Sequence, residues 1–327
     1  MLLRIARNAH LIGPPEATHR AIPVIHDRTG CEAADEASPQ PTNPRLSTDY
    51  PGTRNCSRSQ GDGMRRMLRA VVGRTPLHRV FNYLTCQRRA WQMRRTFRDW
   101  SNEDDSRRAF YSQFIAPGEL VFDIGANLGN RTKVFHRLGA LVIAVEPQPS
   151  CADFLLSVLG DSPRFHLLRK AIGAEEGEAE MLVCNAHMIS SLSAEWVRSV
   201  VESGRFKEYT WDQRIKVPID TLDNLITSHG RPTFIKIDVE GFEDQVIAGL
   251  HTPVRALSME FTPEFMESTR RCIAHLCRIG NYSFQISLGE SMEFTLERWV
   301  SADEILVALS AVSPTAFGDL YARVGGP

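Results

Sequence analysis

The sequence lacks any run of about 18 apolar residues, so it predicts no membrane-spanning helix. No two of its seven cysteines, at 31, 56, 86, 151, 184, 272 and 277, are spaced as C-x-x-C. That spacing excludes a zinc knuckle and a thioredoxin-like pair. An odd count without a framework suits a reducing compartment, so a cytoplasmic location is expected. An excess of one charge is missing too: 38 basic and 39 acidic residues leave a formal net charge of −1. Such a balance exerts no global pull towards nucleic acid or anionic lipid, and no nucleic-acid partner is expected. The start MLLRIARNAHLIGPP interrupts its apolar patch with Arg4 and Arg7, which makes a poor signal-peptide core. There is no internal repeat. What remains is a chain of 327 residues, 43% hydrophobic, long enough for one large domain or two ordinary ones.

Residues 1–63 hold seven of the eighteen prolines and one aromatic, Tyr50. They have little to bury and are expected to form a disordered tail that contributes nothing to the fold. Met64, where the first hydrophobic period begins, is an alternative start of translation. From 64 to 100 there are ten arginines against one acid, Asp99. Leu77, Val80, Phe81, Leu84 and Trp91 repeat at helical spacing. Residues 64–104 therefore read as a basic amphipathic helical extension broken near Gly73 and Pro76. The plain reading of that extension is a lid with its arginines towards water. The other is peripheral contact of 64–100 with an anionic membrane surface or an acidic glycan.

The third segment, 105–327, alternates strands and helices. ELVFDIG, LVIAVEP, FHLLRKAIG, PTFIKIDVEG, RALSMEF, YSFQISL and LYARV read as strands, with EGEAEMLV and the start of IKVPIDTLDNLI as further candidates. Helical faces separate them, for example Val134, Phe135 and Leu138, and then Met266, Thr269, Ile273 and Leu276. The pattern predicts an α/β fold with a mainly parallel sheet and helices on both faces. Such sheets bind ligands beyond the carboxyl ends of their strands, at the switch point.

Two acidic strand tips point to a ligand. Asp123 ends the first strand, and Gly125 and Gly129 follow in a turn where backbone can approach a ligand closely. The helix after Leu128 offers free N–H groups. Glu146 ends the second strand, 23 residues after Asp123, where an acid accepts both hydroxyls of a ribose. The turn Gly125-Ala126-Asn127-Leu128-Gly129 is out of register with G-x-G-x-x-G, and Asp123 would repel a pyrophosphate. A nucleoside with positive charge and no phosphate, such as S-adenosylmethionine, fits better. A second site is FIKIDVEGFED, 234–244, in which Lys236, Asp238 and Glu240 share a face if extended. Ionisable groups in an apolar strand are costly unless paired. The bland alternative is a Lys236–Asp238 salt bridge, with Glu240 and Glu243 as solvated helix-start acids.

Taken in order, VFDIGANLGNRTKVF, AVEPQP, SSL, IDTLD, FIKIDVEGFEDQVIAGL and LSMEF resemble the FkbM-type methyltransferases. The resemblance covers roughly 105–325. It implies a Rossmann-like class I methyltransferase with a seven-stranded sheet, S-adenosylmethionine as cofactor, and methylation of a hydroxyl on a sugar, glycan or secondary metabolite. It would place Asp123, Gly125, Asn127 and Gly129 along the methionine end and Glu146 at the ribose. Asp238, also counted with the cofactor residues, and Glu240 would face the methyl-transfer centre. The adenine would meet backbone near Ala171 and Ile172.

A hydroxyl acceptor needs a base, and Asp238 and Glu240 are the candidates. His187, beside Ser190 and Ser191, is a third. Two carboxylates alone do not complete a hard-cation shell, so no metal is expected. Two other readings stand beside this one. A nicotinamide-dependent oxidoreductase would also use Glu146, and a non-catalytic protein on the same fold would dock acidic partners through its arginine-rich helices.

Overall fold

The structure is a computed structural model that describes Phe97 and residues 99–184, 189–204, 209–313 and 315–325. The expectations for 1–63 and for almost all of 64–104 lie outside the described residues, as does His187. In chain order the elements are α1 (Asn102–Tyr111), β1 (Leu120–Ile124), α2 (Thr132–Arg137), β2 (Leu141–Val145), α3 (Pro149–Leu159), β3 (Phe165–Leu168), β4 (Ala171–Ile172), β5 (Gly177–Val183), α4 (Ala194–Glu202), β6 (Gln213–Asp220), α5 (Leu222–His229), β7 (Phe234–Ile237), α6 (Glu243–Ala248), β8 (Ala256–Phe261), α7 (Met266–Ile279), β9 (Tyr282–Leu288), α8 (Ala302–Ser310) and β10 (Gly318–Val324).

Seven strands form one sheet in the order β3-β2-β1-β7-β8-β10-β9. The first five run parallel, and β10 is antiparallel to both neighbours. The apolar runs explain the burial. Along β1, β2 and β7, Val121, Val142, Ala144 and Phe234 pack into one cluster. Phe122, Ile124, Ile143, Val145, Ile235 and Ile237 pack into the other. Both faces are therefore covered, as parallel strands require, because a side chain on either face meets helices rather than water. Strand order reverses between β1 and β7, so the loops after these two strands diverge and leave a crevice above the sheet.

The middle of the chain departs from the sequence reading. FHLLRKAIG is two strands in two sheets: β3 pairs with β2, whereas β4 pairs with β6. β4, β6 and β5 make a small second sheet in that order. The break falls at Arg169-Lys170, where the Lys170 ammonium reaches Asp220 at the end of β6, 2.8 Å away. Exposed and covered positions alternate from Glu178 to Met181 in β5 and from Arg214 to Ile219 in β6, and Met181 and Val217 pack inward with Ala171. Period-two patterning fits a half-covered sheet of this kind.

One buried polar group crosses the parallel core. Lys236 on β7 is 1% exposed, and its ammonium donates to Asp319 of β10 at 2.8 Å. Tyr321 donates to the other Asp319 oxygen at 3.2 Å. Asp238 lies farther from Lys236, at 3.7 Å. The main partner of Lys236 is thus Asp319 and not Asp238, as local sequence had suggested. Removing one half of a buried pair strands the other charge. Asp319→Ala should therefore lower the unfolding free energy by about 3–5 kcal/mol, read from urea denaturation of the full chain. A parental midpoint would contradict this role.

Candidate active site

A cavity of about 890 Å³, including its open mouth, lies over the carboxyl ends of β1, β2 and β7. Its wall contains Asp123, Gly125, Asn127, Glu146, Asp238 and Glu240. Residues from distant parts of the sequence therefore converge at the sheet's switch point.

The turn after β1 is shaped by its neighbours. Gly125 has φ +79°, and a Cβ there would stand 1.9 Å from the backbone oxygen of Asp238. Only a residue without a side chain lets the β1 and β7 loops approach this closely. Asn127 is also left-handed, at φ +50°, a conformation that asparagine tolerates better than most residues. Gly129 is placed differently. It stands outside the cavity wall, where a Cβ would meet Leu155 at 2.6 Å and Phe97 at 2.9 Å. Its position is one of packing. The following helix, α2, begins only at Thr132, later than the turn suggests.

Asp123 and Glu146 are held by different devices. Thr132 donates its hydroxyl to Asp123, and burial pushes the Asp123 carboxyl up to about 6 despite nearby Lys236. Glu146 is 2% exposed. Its two oxygens accept from the backbone N–H groups of Asn127 and Gln148, each at 2.7 Å. The Asn127 N–H is thus directed at Glu146 rather than free for a ligand. Each Glu146 oxygen keeps a further lone pair for a hydroxyl in the cavity. Burial outweighs these bonds and pushes the carboxyl up to about 7.

The 238–243 segment is not extended as the period-two reading assumed. β7 stops at Ile237, and Glu240 turns left-handed at φ +55°. Ser191 donates to the Glu240 backbone oxygen at 2.6 Å and fixes this turn. Gly241, at φ +87°, lies against the Trp196 ring, where a Cβ would approach within 2.2 Å. Glu240 and Glu243 are buried rather than solvated. Glu243 caps its own loop by accepting from Val239 and Gly241 at 3.2 and 3.3 Å, and burial holds it at about 7. Burial, with Glu260 and Asp238 close by, pushes Glu240 well above the usual carboxylate range.

The structure adds residues that sequence reasoning missed. Glu260, near the end of β8, brings a carboxylate oxygen within 4.8 Å of those of Asp238 and Glu240. Arg107 and Arg131 both reach Glu290, at 3.1 and 2.9 Å, and all three line the cavity. Ile172, Met181 and Leu192 supply an apolar stretch of wall, part of it from the small sheet. Ala171 and Ile172 line the cavity where an adenine was expected. The signal for Glu260 was the acid in LSMEF, a charge in an otherwise apolar strand.

The donor set suits S-adenosylmethionine. Apolar wall for a base, a Glu146 carboxylate for ribose hydroxyls, and Asp123 and Asp238 for positive charge share one cavity.

Among solved structures the chain is distantly similar to several methyltransferases. Precorrin-6y C5,15-methyltransferase from Geobacter metallireducens is 10% identical, with 67% of this chain and 87% of that one covered and a TM-score of 0.35. Magnesium protoporphyrin IX methyltransferase from Synechocystis PCC 6803, solved with bound SAM, gives 10%, 68%, 78% and 0.35. An rRNA methylase from Streptococcus thermophilus gives 10%, 67%, 94% and 0.34. Likenesses this distant carry no argument about activity. No curated protein matches the chain. The Methyltransferase FkbM domain matches residues 123–306, more than half of the chain, and, Arg107 apart, the cavity residues named above lie within that span. The chain belongs to the FkbM methyltransferase family, with the Rossmann-like class I fold.

Proposed function

We propose that the protein transfers a methyl group from S-adenosylmethionine to a hydroxyl of a sugar, glycan or secondary metabolite. The observation that carries this reading is the meeting of Glu146 with Asp123, Asp238 and Glu240 in one cavity. When bound, S-adenosylmethionine supplies a methyl carbon on a cationic sulfur, which leaves with the electron pair of the S–C bond as the O–C bond forms. Glu146 accepts the ribose hydroxyls. Gly125, Asn127 and Asp123 line the methionine end, and Gly129 supports that turn from behind. Asp238, partly open to the cavity, and Glu240 face the acceptor and take its hydroxyl proton, since an aliphatic hydroxyl is a weak nucleophile unaided. Holding oxygen, methyl and sulfur in line supplies much of the remaining acceleration.

The acceptor is a small molecule or glycan and not a nucleic acid, a reading supported by the formal net charge of −1, which exerts no global pull towards a polyanion. Among the described residues no helix is long and apolar enough to cross a membrane. The cytoplasm is proposed as the compartment, which suits the free thiols of Cys151, Cys184, Cys272 and Cys277. An oxidoreductase reading gains nothing from the cavity, where Asp123 would face a pyrophosphate.

Calorimetry of Glu146→Ala should show cofactor affinity weakened at least tenfold with the fold intact, because a charge-assisted bidentate pair is worth roughly 1.5–3 kcal/mol. Unchanged affinity, or tighter binding of NAD than of S-adenosylmethionine by the parent, would sink the reading. The same titrations report on protonation. The ionised Glu146 is the better acceptor, and its carboxyl sits at about 7. Affinity should therefore fall as pH drops from 8 to 6, and Glu146→Gln should flatten that fall. Finally, Asp238→Asn and Glu240→Gln should each lower turnover on a panel of hydroxylated acceptors more than they lower the melting temperature. Parental rates in both variants would remove these carboxylates from the chemistry.

A further inference from the structure

We propose that Asp238, Glu240 and Glu260 form a binding site for one divalent, oxygen-preferring cation, Mg²⁺ or Mn²⁺, at which the acceptor's hydroxyl oxygen is received. The role of the cation rests on the methyl-transfer reading; its binding does not. Asp238 and Glu240 come from the loop after β7 and Glu260 from the neighbouring β8, and one oxygen from each lies within 4.8 Å of the others. Octahedral ligands about 2.1 Å from a small cation are roughly 3–4 Å apart. Modest side-chain rotation therefore brings all three oxygens to ligating distance and leaves the remaining positions open. All three ligands are carboxylates, without histidine or thiol, which favours a hard cation over zinc or copper.

A second observation points to a ligand. Glu240 is 6% exposed. Its carboxylate has no hydrogen bond or ion pair among the described residues, although its oxygen is aimed at those of Asp238 and Glu260. Glu260 likewise has no such partner. The neighbouring buried acids behave otherwise: Glu146 and Glu243 each accept two backbone N–H groups. Among the described residues, Lys236 is committed to Asp319 at 2.8 Å and, of the trio, pairs only with Asp238, at 3.7 Å. Three carboxylates gathered this closely, with only one distant ammonium among the described residues, repel one another, and a bound cation relieves that repulsion.

The position suits an acceptor. Asp238 and Glu240 line the cofactor cavity, whereas Glu260 lines a smaller neighbouring cavity with Phe261, Thr262 and Phe265. The trio stands between the two. A hydroxyl drawn from the smaller cavity into an open coordination position loses its proton more readily. That proton passes to one of the carboxylate oxygens left free, since each residue spends only one oxygen on the cation. The acceptor oxygen then bonds the methyl carbon as the S–C bond breaks and its electron pair stays on sulfur.

The test titrates Mn²⁺ into the metal-stripped full chain, following the free-ion paramagnetic resonance signal, with and without S-adenosylmethionine. Calorimetry on the same samples reads cofactor affinity. The expected result is one Mn²⁺ per chain, displaced by Mg²⁺ and weakened at least tenfold in Glu260→Gln and in Glu240→Gln. Glu260→Gln should keep the parental cofactor affinity, and both variants should melt at or above the parental temperature, because a like-charge contact is relieved. No stoichiometric Mn²⁺ in the parent would overturn the proposal and leave protons as the neutralising species. Parental Mn²⁺ affinity in both folded variants would overturn it too. Mn²⁺ binding without cofactor binding would uphold the site and contradict the methyl-transfer reading instead.

Discussion

The burial of negative charge at one end of a parallel sheet is the constraint around which this domain is organised. Asp123, Glu146, Glu240 and Glu243 are all buried at or just beyond the tips of β1, β2 and β7. Taking a carboxylate out of water is costly, and the fold answers with a local device for three of the four. Thr132 serves Asp123, two backbone N–H groups serve Glu146, and two more serve Glu243. The Lys236–Asp319 pair sits beneath them and ties β7 to β10, which are not adjacent in the sheet. These devices restrain the loops, and the loops shape the cavity. A site built on strand tips in this way is held more firmly than one carried by surface loops.

Much of this was legible because parallel strands announce themselves. VFDI, LVIAV and FIKI are nearly unbroken apolar runs, and an acid at the end of such a run stands out. Asp123, Glu146 and Asp238 were found from that contrast, and all three line the cavity. Gly125 was legible for the same kind of reason, although its actual neighbour is the Asp238 backbone rather than a ligand alone. Gly129 looked equivalent in sequence but faces Leu155 and Phe97, since spacing does not tell which side of a turn a Cα presents.

What stayed hidden depends on long-range pairing. Asp319 lies 83 residues from Lys236, and Glu290 lies 159 residues from Arg131. No local pattern links them. The small sheet was hidden because FHLLRKAIG reads as one strand, while a change of sheet needs only the polar pair Arg169-Lys170 at its middle. Glu240 was read as extended because period two was carried past Ile237, where the chain in fact turns left-handed. Glu260 was passed over because one charge near the end of a strand is commonly solvated, and only the register of β7 beside β8 sets it against Asp238 and Glu240.

A gathering of acids of this kind serves a cationic ligand better than a phosphorylated one, and that preference sets this site apart from the dinucleotide-binding version of the same architecture. A crystal structure of the full chain grown with S-adenosylmethionine tests this most directly. The expected density places both ribose hydroxyls on Glu146 and directs the methyl group at Asp238 and Glu240. A nucleoside bound away from Glu146, or a methyl group pointing away from those two carboxylates, would contradict it.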